Sequence, residues 1–435
     1  MPDPLQFPTL RSTQTSISSK CILIMIARHL PLSALLLGSL FLLTAGGING
    51  LILPIRGSNE GFSAFSLGLL GTGWAAGYVL GCIFTPRLVA GVGHIRAFGT
   101  LSATAAIVVL LSSMLPNAWA WIPLRAISGF CFAGAAMIVE SWLSEEVESS
   151  MRGQVFGTYT MINLIGSTGG QMILIGADIS GHWYFMLAAI FYCLALIPTA
   201  ISSTRAPAPL FEVKLDISQL WYNSPVAVFA ALMIGISNGT FGTLAAVYAN
   251  RIGLDMTAIV LFCSVPVLAG ALFQIPVGRA SDRFDRRKVL LFLALLAILA
   301  DAAFLVLGPE DATHNILIGS LLGAAMFAMY PIVLAHANDH AKPGQYVQIS
   351  GGLLLFFGFG SIVGPFVGGI ALSVVGPLAL FWTMIVAHIL IVLFTLWRMS
   401  QRKPAKFEEK ARFHAIPPAR TSTPETEVLA DRQQR

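Results

Sequence analysis

The sequence predicts an all-α integral membrane protein whose twelve transmembrane helices form two pseudo-symmetric six-helix bundles. Three observations carry this. The chain is 56% hydrophobic and only 11% charged over 435 residues, too little charge to solvate the surface of a soluble protein of that length. Its apolar residues fall in long runs, and a bilayer core needs roughly 20 helical residues to cross it. The longest polar interruption between runs, STRAPAPLFEVKLDISQLWYNS at 203–224, divides six from six.

The runs lie at about 32–55, 64–86, 97–115, 119–143, 154–177, 183–202, 225–248, 256–277, 289–307, 315–337, 347–372 and 377–397. They are apolar all round. Strands of a membrane barrel would alternate polar and apolar residues, so helices are left as the structure that satisfies its own backbone in lipid. The expected organisation is an N-tail at 1–30, a first bundle at 31–203, a linker at 204–224, a second bundle at 225–398 and a C-tail at 399–435. CILIMIA (21–27) is short and is interrupted by Arg28 and His29, unlike a cleaved signal. Residues 1–30 read as a disordered tail, or as an extension upstream of a start such as Met25. The C-tail mixes Lys, Arg, Glu, Pro and Thr with few large apolar residues and also reads as disordered. Cys21, Cys82, Cys131, Cys193 and Cys263 form no CxxC pair and read as small buried hydrophobes.

Twelve spans put both termini on one side. Of the 26 Lys and Arg, all but Arg56, Arg251 and Arg125 fall on that side. Positive charge is retained in the cytoplasm. Both termini are therefore expected in the cytoplasm of a multi-pass plasma-membrane (bacterial inner-membrane) protein. The densest cluster, GRASDRFDRR at 278–287, becomes a cytoplasmic turn. The halves also echo each other. GSTGGQ (166–171) resembles GSIVGP (360–365), and Glu146 and Asp339 end spans four and ten at nearly the same offset. Two repeats about an axis along the membrane normal are a recurrent transporter plan.

Six plus six spans, a central linker and a G-x-x-x-D-R-x-x-R-R loop after span eight resemble the major facilitator superfamily (MFS). GRASDRFDRRK resembles that family's loop between spans two and three, in its second-half copy. The first-half copy, GCIFTPRLVAGVGHIRAF (81–98), keeps Gly81, Arg87, Gly93 and Arg96 but has Pro86 near the Asp position. RAISG (125–129) resembles the R-x-x-x-G of span four in proton-coupled members. RAISGFCFAGAAMIVESWL and MRGQVFGTYTMINLIGSTGGQ resemble a bacterial branch whose substrates are largely unassigned. The likeness covers about 31–399.

The resemblance implies the MFS fold, a functional monomer in the lipid bilayer, and a central cavity lined by spans one, four, seven and ten. It also implies a cytoplasmic gate. Asp282 is expected to contact Arg152 and the positive N-terminus of span five when the site opens outward, and Arg283 and Arg286 to pair with Asp339. The plain alternative is positive-inside anchoring and a solvated turn, since exposed ion pairs contribute roughly 0–1 kcal/mol.

Ionisable groups inside spans are costly and default to functional roles. Arg125 sits roughly 9 Å into span four and suits an anionic group or a proton site; the alternative is snorkelling to the interface. Glu140 lies roughly 22 Å farther along the same helix, too far for a direct pair, and suits a proton carrier or an interfacial carboxylate. His336 is the favoured cavity histidine over His388, and Asp301 is expected to hydrogen-bond a neighbouring helix. Asn49, Asn238, Tyr330, Met137 and Phe241 complete the proposed substrate and proton pathway. Tyr159, Asn163, Gln171 and Gln274 are second-rank candidates, and for each amide an interhelical hydrogen bond is the favoured alternative. The glycines of GSTGG (166–170) and GFGSIVGPFVGG (358–369) read as small helix faces for close packing, and Pro331 and Pro365 as bends.

No Walker A, HExxH, GxSxG or metal-spaced His/Cys set occurs. No cofactor, metal or enzymatic activity is expected, and the pI of about 9.0 reflects loops and tail rather than a nucleic-acid surface. The reading is a secondary active transporter of a small molecule by alternating access, proton-coupled, with export favoured over uptake. The alternatives are an energy-independent uniporter and a non-transporting solute sensor.

Overall fold

The computed structural model describes residues 14–146, 152–176, 178–201, 217–341, 345–401, 413 and 416–426. Six helices make the first half: α1 (Gln14–Asn59), α2 (Ala64–Val92), α3 (His94–Met114), α4 (Ala118–Glu146), α5 (Arg152–Met172) and α6 (Trp183–Ile201). After a short α7 (Ile217–Asn223), the second half holds α8 (Pro225–Arg251), α9 (Met256–Arg283), α10 (Arg286–Leu307), α11 (Ala312–Asn338), α12 (Tyr346–Val374) and α13 (Ala379–Gln401). Eleven of these are long and apolar enough to cross a membrane. The two outside that set are α7, with only seven residues, and α5, whose GSTGGQ end lowers its hydropathy. α1 begins upstream of the boundary expected at 31; its membrane-length stretch is Leu32–Asn59.

Local chemistry sets several helix ends. Ser63 caps α2 by accepting from the Ser66 N–H at 3.1 Å. Asp255 and Asp311 cap α9 and α11 through Thr257 and His314. Such caps satisfy N–H groups that have no partner within the helix. Gly308, in the left-handed region at φ 51°, closes α10, a conformation glycine adopts without steric cost.

The halves repeat one set of neighbours. α1 packs on α5 and α6, and α8 on α12 and α13. α2 packs on α4, and α9 on α11; α3 touches α4 and α6, and α10 touches α11 and α13. Lipid gives no hydrophobic drive for helices to associate, so small residues that admit close backbone approach do the work. Gly73, Gly77 and Gly81 recur every fourth residue on one face of α2, and each lies against a backbone carbonyl of α4: Ile122, Ala126 and Phe130. On α12, Gly360 and Gly364 meet the carbonyls of Leu232 and Ile236 on α8. On α5, Gly166 and Gly170 meet α1 at Leu40, Leu43 and Thr44. The first glycine stretch is thus a packing face within its own half, while the second packs on α8 and, at Gly358 and Gly369, on α2 of the other half.

Contacts between the halves gather at one side, here called distal because α1 starts and α13 ends on the other. Asn250 donates to Ser58 and Asn59 at 3.0 and 3.1 Å. Thr72 donates to the Ile362 carbonyl at 2.9 Å, and Ser264 to Gln171 at 2.7 Å. A Cβ at Gly369 would sit 3.0 Å from the Gly68 Cα, so α2 and α12 meet backbone to backbone there. Towards the terminal side the same two helices separate around a cavity.

The structure differs from the sequence reading at the C-tail. Residues 416–426 are ordered inside that cavity, with a 3₁₀ turn at Ala419–Thr421. Composition alone argues for disorder in so polar a segment. Its hydroxyls and guanidinium instead find partners on buried cavity walls, which composition does not register.

Gly77 tests the packing argument. Overpacking a close-packed interior costs about 1–3 kcal/mol or more, so Gly77→Leu is expected to lower the melting temperature of the purified protein by several degrees. Gly91→Ala, at a position with nothing within 4 Å of a built Cβ, should leave it unchanged.

Candidate functional site

The cavity, about 300 Å³, lies between the terminal halves of α2 and α12 and is lined by Trp74, Tyr78, Cys82, Met137, Leu354 and Phe357, with Arg420 of the tail. Beside it, covered by the tail segment that lines the cavity, lies a buried carboxyl. Glu140 on α4 is 0% exposed. Its Oε1 accepts from the Tyr159 hydroxyl of α5 at 2.7 Å and from Thr426 at 2.7 Å, and its Oε2 accepts from Thr423. A buried polar group must be hydrogen-bonded to be tolerated; here three hydroxyls supply the bonds, two of them from the tail.

Arg125 does not snorkel. It is 5% exposed, and its guanidinium lies 5.9 Å from the Trp74 ring centroid. Arg420 takes the same ring at 4.8 Å. The Nε of Arg125 is a buried donor with no hydrogen-bond partner among the described residues.

The other expected pathway residues scatter. Met137 lines the cavity. Asn49 is buried and donates to Ser128 at 3.4 Å, joining α1 to α4. Asn238 is buried on α8, and its Oδ1 has no hydrogen-bond partner among the described residues. Tyr330 packs edge-on against Phe357, with centroids 5.2 Å apart. Phe241 belongs to a second-half aromatic cluster with Phe262 and Phe327. His336 lies outside the central cavity. It faces a small terminal-side pocket with Arg287, His340 and Arg398, because it sits in the last turn of α11, beyond the cavity's depth.

The charged loop is largely an internal fastener of the second half. Arg286, 1% exposed, bonds Asp339 through Nε at 2.7 Å and Ser281 at 3.0 Å, tying α10 to α11 and α9. Arg287 pairs with Asp285 at 2.8 Å. Burial opposes ionisation of Asp285, but hydrogen bonds from the Arg287 side chain and backbone outweigh it and hold the carboxyl below its usual range. Arg283 is exposed. Asp282 accepts the Phe413 N–H at 3.1 Å and lies 3.6 Å from Arg286. The side chain of Arg152 lies outside the described residues, so the expected Asp282–Arg152 contact does too.

Sequence reasoning missed how Asp301 and His388 combine. Asp301 Oδ2 meets His388 Nδ1 at 2.7 Å, and His388 Nε2 meets the Ser237 hydroxyl at 2.8 Å. All three are fully buried, linking α10, α13 and α8 away from any cavity described. Trp74, Tyr78, Arg420, Thr423 and Thr426 were also missed. The one signal for the last three was their presence in a tail of otherwise unexplained composition.

Comparison with known proteins decides the family. The Major Facilitator Superfamily model matches residues 35–271 and 227–431. The chain belongs to the Major Facilitator Superfamily. It is a multi-pass membrane transporter, not an enzyme. It is 27% identical over 340 residues to "Uncharacterized MFS-type transporter YcaD" of Escherichia fergusonii, covering 77% of this chain and 87% of that one. It is 28% identical over 346 residues to the protein of that name from Salmonella typhimurium, with the same coverage. The fold is similar to that of the nucleoside transporter NupG, at a TM-score of 0.71 and 15% identity over 86% of this chain and 99% of that one. It is also similar to a bacterial homolog of the human lysosomal transporter Spinster in an inward-facing, occupied conformation, at a TM-score of 0.69 and 15% identity over 87% and 98% of the chains.

The buried network makes a stability prediction. Removing one partner of a buried hydrogen bond leaves the other unsatisfied, at a cost of about 1–3 kcal/mol, whereas replacing both by apolar residues costs far less. Asp301→Leu and His388→Leu should each strongly lower the melting temperature of this MFS protein. The double variant should fall short of their sum; additive losses would show the two residues to be uncoupled.

Proposed function

We propose that this protein is a proton-coupled secondary transporter that exports a small molecule by alternating access, acting as a monomer in the plasma membrane with both termini in the cytoplasm. The observation that carries this reading is the closed distal face above a cavity between α2 and α12, with Glu140 buried beneath the tail segment that lines that cavity. The positive charge of the terminal-side loops and tail supports the orientation, making the described state cytoplasm-open.

In this reading Glu140 takes up and releases the coupled proton. Three hydroxyl donors hold its carboxylate, and a protonated carboxyl needs fewer of them, so loss or gain of a proton changes which partners Glu140 holds. Arg125, stacked beside Trp74 with an unused Nε donor, orients an anionic or acceptor group of the substrate. Asn238 offers a second-half carbonyl oxygen to the same solute. When the cytoplasmic faces close, Asp282 turns from its present partner toward the N-terminus of α5 and Arg152.

A thermal-shift screen of the purified full chain against metabolites and drugs, at about pH 5.5 and 7.5, finds the substrate class, because a ligand that binds the native state raises its stability by mass action. Flux of the hit is then measured in proteoliposomes. A pH gradient should drive net flux in the parent protein and have no effect in Glu140→Gln. Gradient-driven flux that survives in Glu140→Gln removes the proton role of that residue, and no gradient effect in the parent assigns a uniporter. Asp282→Asn should cut flux at least about tenfold, the effect of losing roughly 1.4 kcal/mol of closed-state stabilisation, without lowering membrane insertion.

A further inference from the structure

We propose that residue 413 and residues 416–426 are an internal ligand of the transport cavity that holds the two halves apart on the terminal side. The distance-measurement arm of the test below rests on the alternating-access reading; the segment's placement does not.

The segment follows the second half inward and the first half outward. Its Phe413 N–H bonds Asp282 at 3.1 Å, and the Phe413 ring covers Gly278, where a Cβ would collide with it. The Ile416 N–H bonds Gln274 at 3.3 Å, two helical turns deeper along α9. Pro417 and Pro418 then lead into the 3₁₀ turn at Ala419–Thr421. Arg420 is the tip. Its guanidinium lies over Trp74 of α2 and fills the space beside Gly242 of α8, which any larger residue would take. The return limb bonds the first half: Tyr78 donates to the Ser422 carbonyl at 3.0 Å, and Thr423 and Thr426 donate to Glu140. The Thr423 N–H in turn bonds the Thr426 hydroxyl at 2.8 Å, which fixes the turn that presents both side chains.

One segment therefore contacts α8 and α9 of one half and α2 and α4 of the other, inside the gap that closure must remove. It also takes Glu140, the proposed proton carrier, and the Trp74 ring beside Arg125. Closure of the terminal side and occupancy by a solute both require it to leave. A tethered segment acts at an effective concentration in the millimolar range, so individually modest bonds keep it in place. Its engagement of Asp282 also withholds that carboxylate from any partner across the halves.

The test uses the full chain with its five native cysteines replaced. In Ser422→Cys, the introduced thiol sits at a buried position and should react with N-ethylmaleimide at least about tenfold more slowly than in the denatured chain, since labelling must wait for local opening. Adding Arg420→Ala, Thr423→Val and Thr426→Val should restore fast labelling. Gly242→Val, which leaves the tail's sequence intact and denies Arg420 its space, should do the same. Spin labels at Val92→Cys and Lys288→Cys, on the terminal ends of α2 and α10, report the gap between halves. The parent should give one long distance, and either set of tail-releasing substitutions should add a shorter population. Labelling of Ser422→Cys at the denatured-chain rate overturns the placement. Protection with an unchanged distance distribution in the tail-released variants overturns the holding role.

Discussion

Backbone-to-backbone contact between helices is the constraint on which the rest of this molecule depends. In lipid the helices gain nothing by hiding apolar surface from one another, so their association rests on close packing. The glycines on α2, α5 and α12 bring main chains together within each half. The same device closes the distal face, where Gly68 and Gly369 let α2 meet α12. Because these contacts stop partway along the two helices, the terminal halves diverge, and the cavity is the space left over.

Polar chemistry follows from the same constraint. A group that cannot reach water must find a partner in the protein, and each buried ionisable residue does so differently. Asp301 is matched by His388 and Ser237 within the second half and joins three helices. Arg286 is matched by Asp339 and ties the charged loop to α11. Glu140 sits at the boundary between the halves, and two of its three donors come from the tail. The first two arrangements lie wholly inside one half and suit structure. The third draws two donors from outside both helix bundles, and suits the moving part proposed above.

Much of the fold was legible because it is written in one-dimensional signals. Hydropathy marks the spans, the 203–224 interruption divides the halves, and GRASDRFDRR marks the loop. Hydropathy falls short only at α5, where the residues that allow close packing are also the less apolar ones. The candidate site was less legible because its pairs are remote in sequence. Glu140 was visible as an ionisable residue in a span, but nothing local ties it to Thr423. Asp301 and His388 were each visible, yet their pairing across spans nine and twelve needs the helix neighbours to be known. His336 was favoured because span ten should face the cavity; its place in the last turn of α11 puts it beside Arg287 instead. The tail was the largest departure. Composition reports the cost of ordering a polar segment but not the buried carboxyl and indole that receive it.

In alternating access the closed distal face must open for a solute to cross. Ser58 and Asn250 touch across that face at 3.0 Å. In a cysteine-free chain carrying Ser58→Cys and Asn250→Cys, a short bis-methanethiosulfonate can bridge the halves and be cleaved with reductant. Flux of a screened ligand through proteoliposomes should stop when the bridge forms and return when it is cut. Flux that continues at the same rate through the bridged protein would contradict alternating access between these two halves.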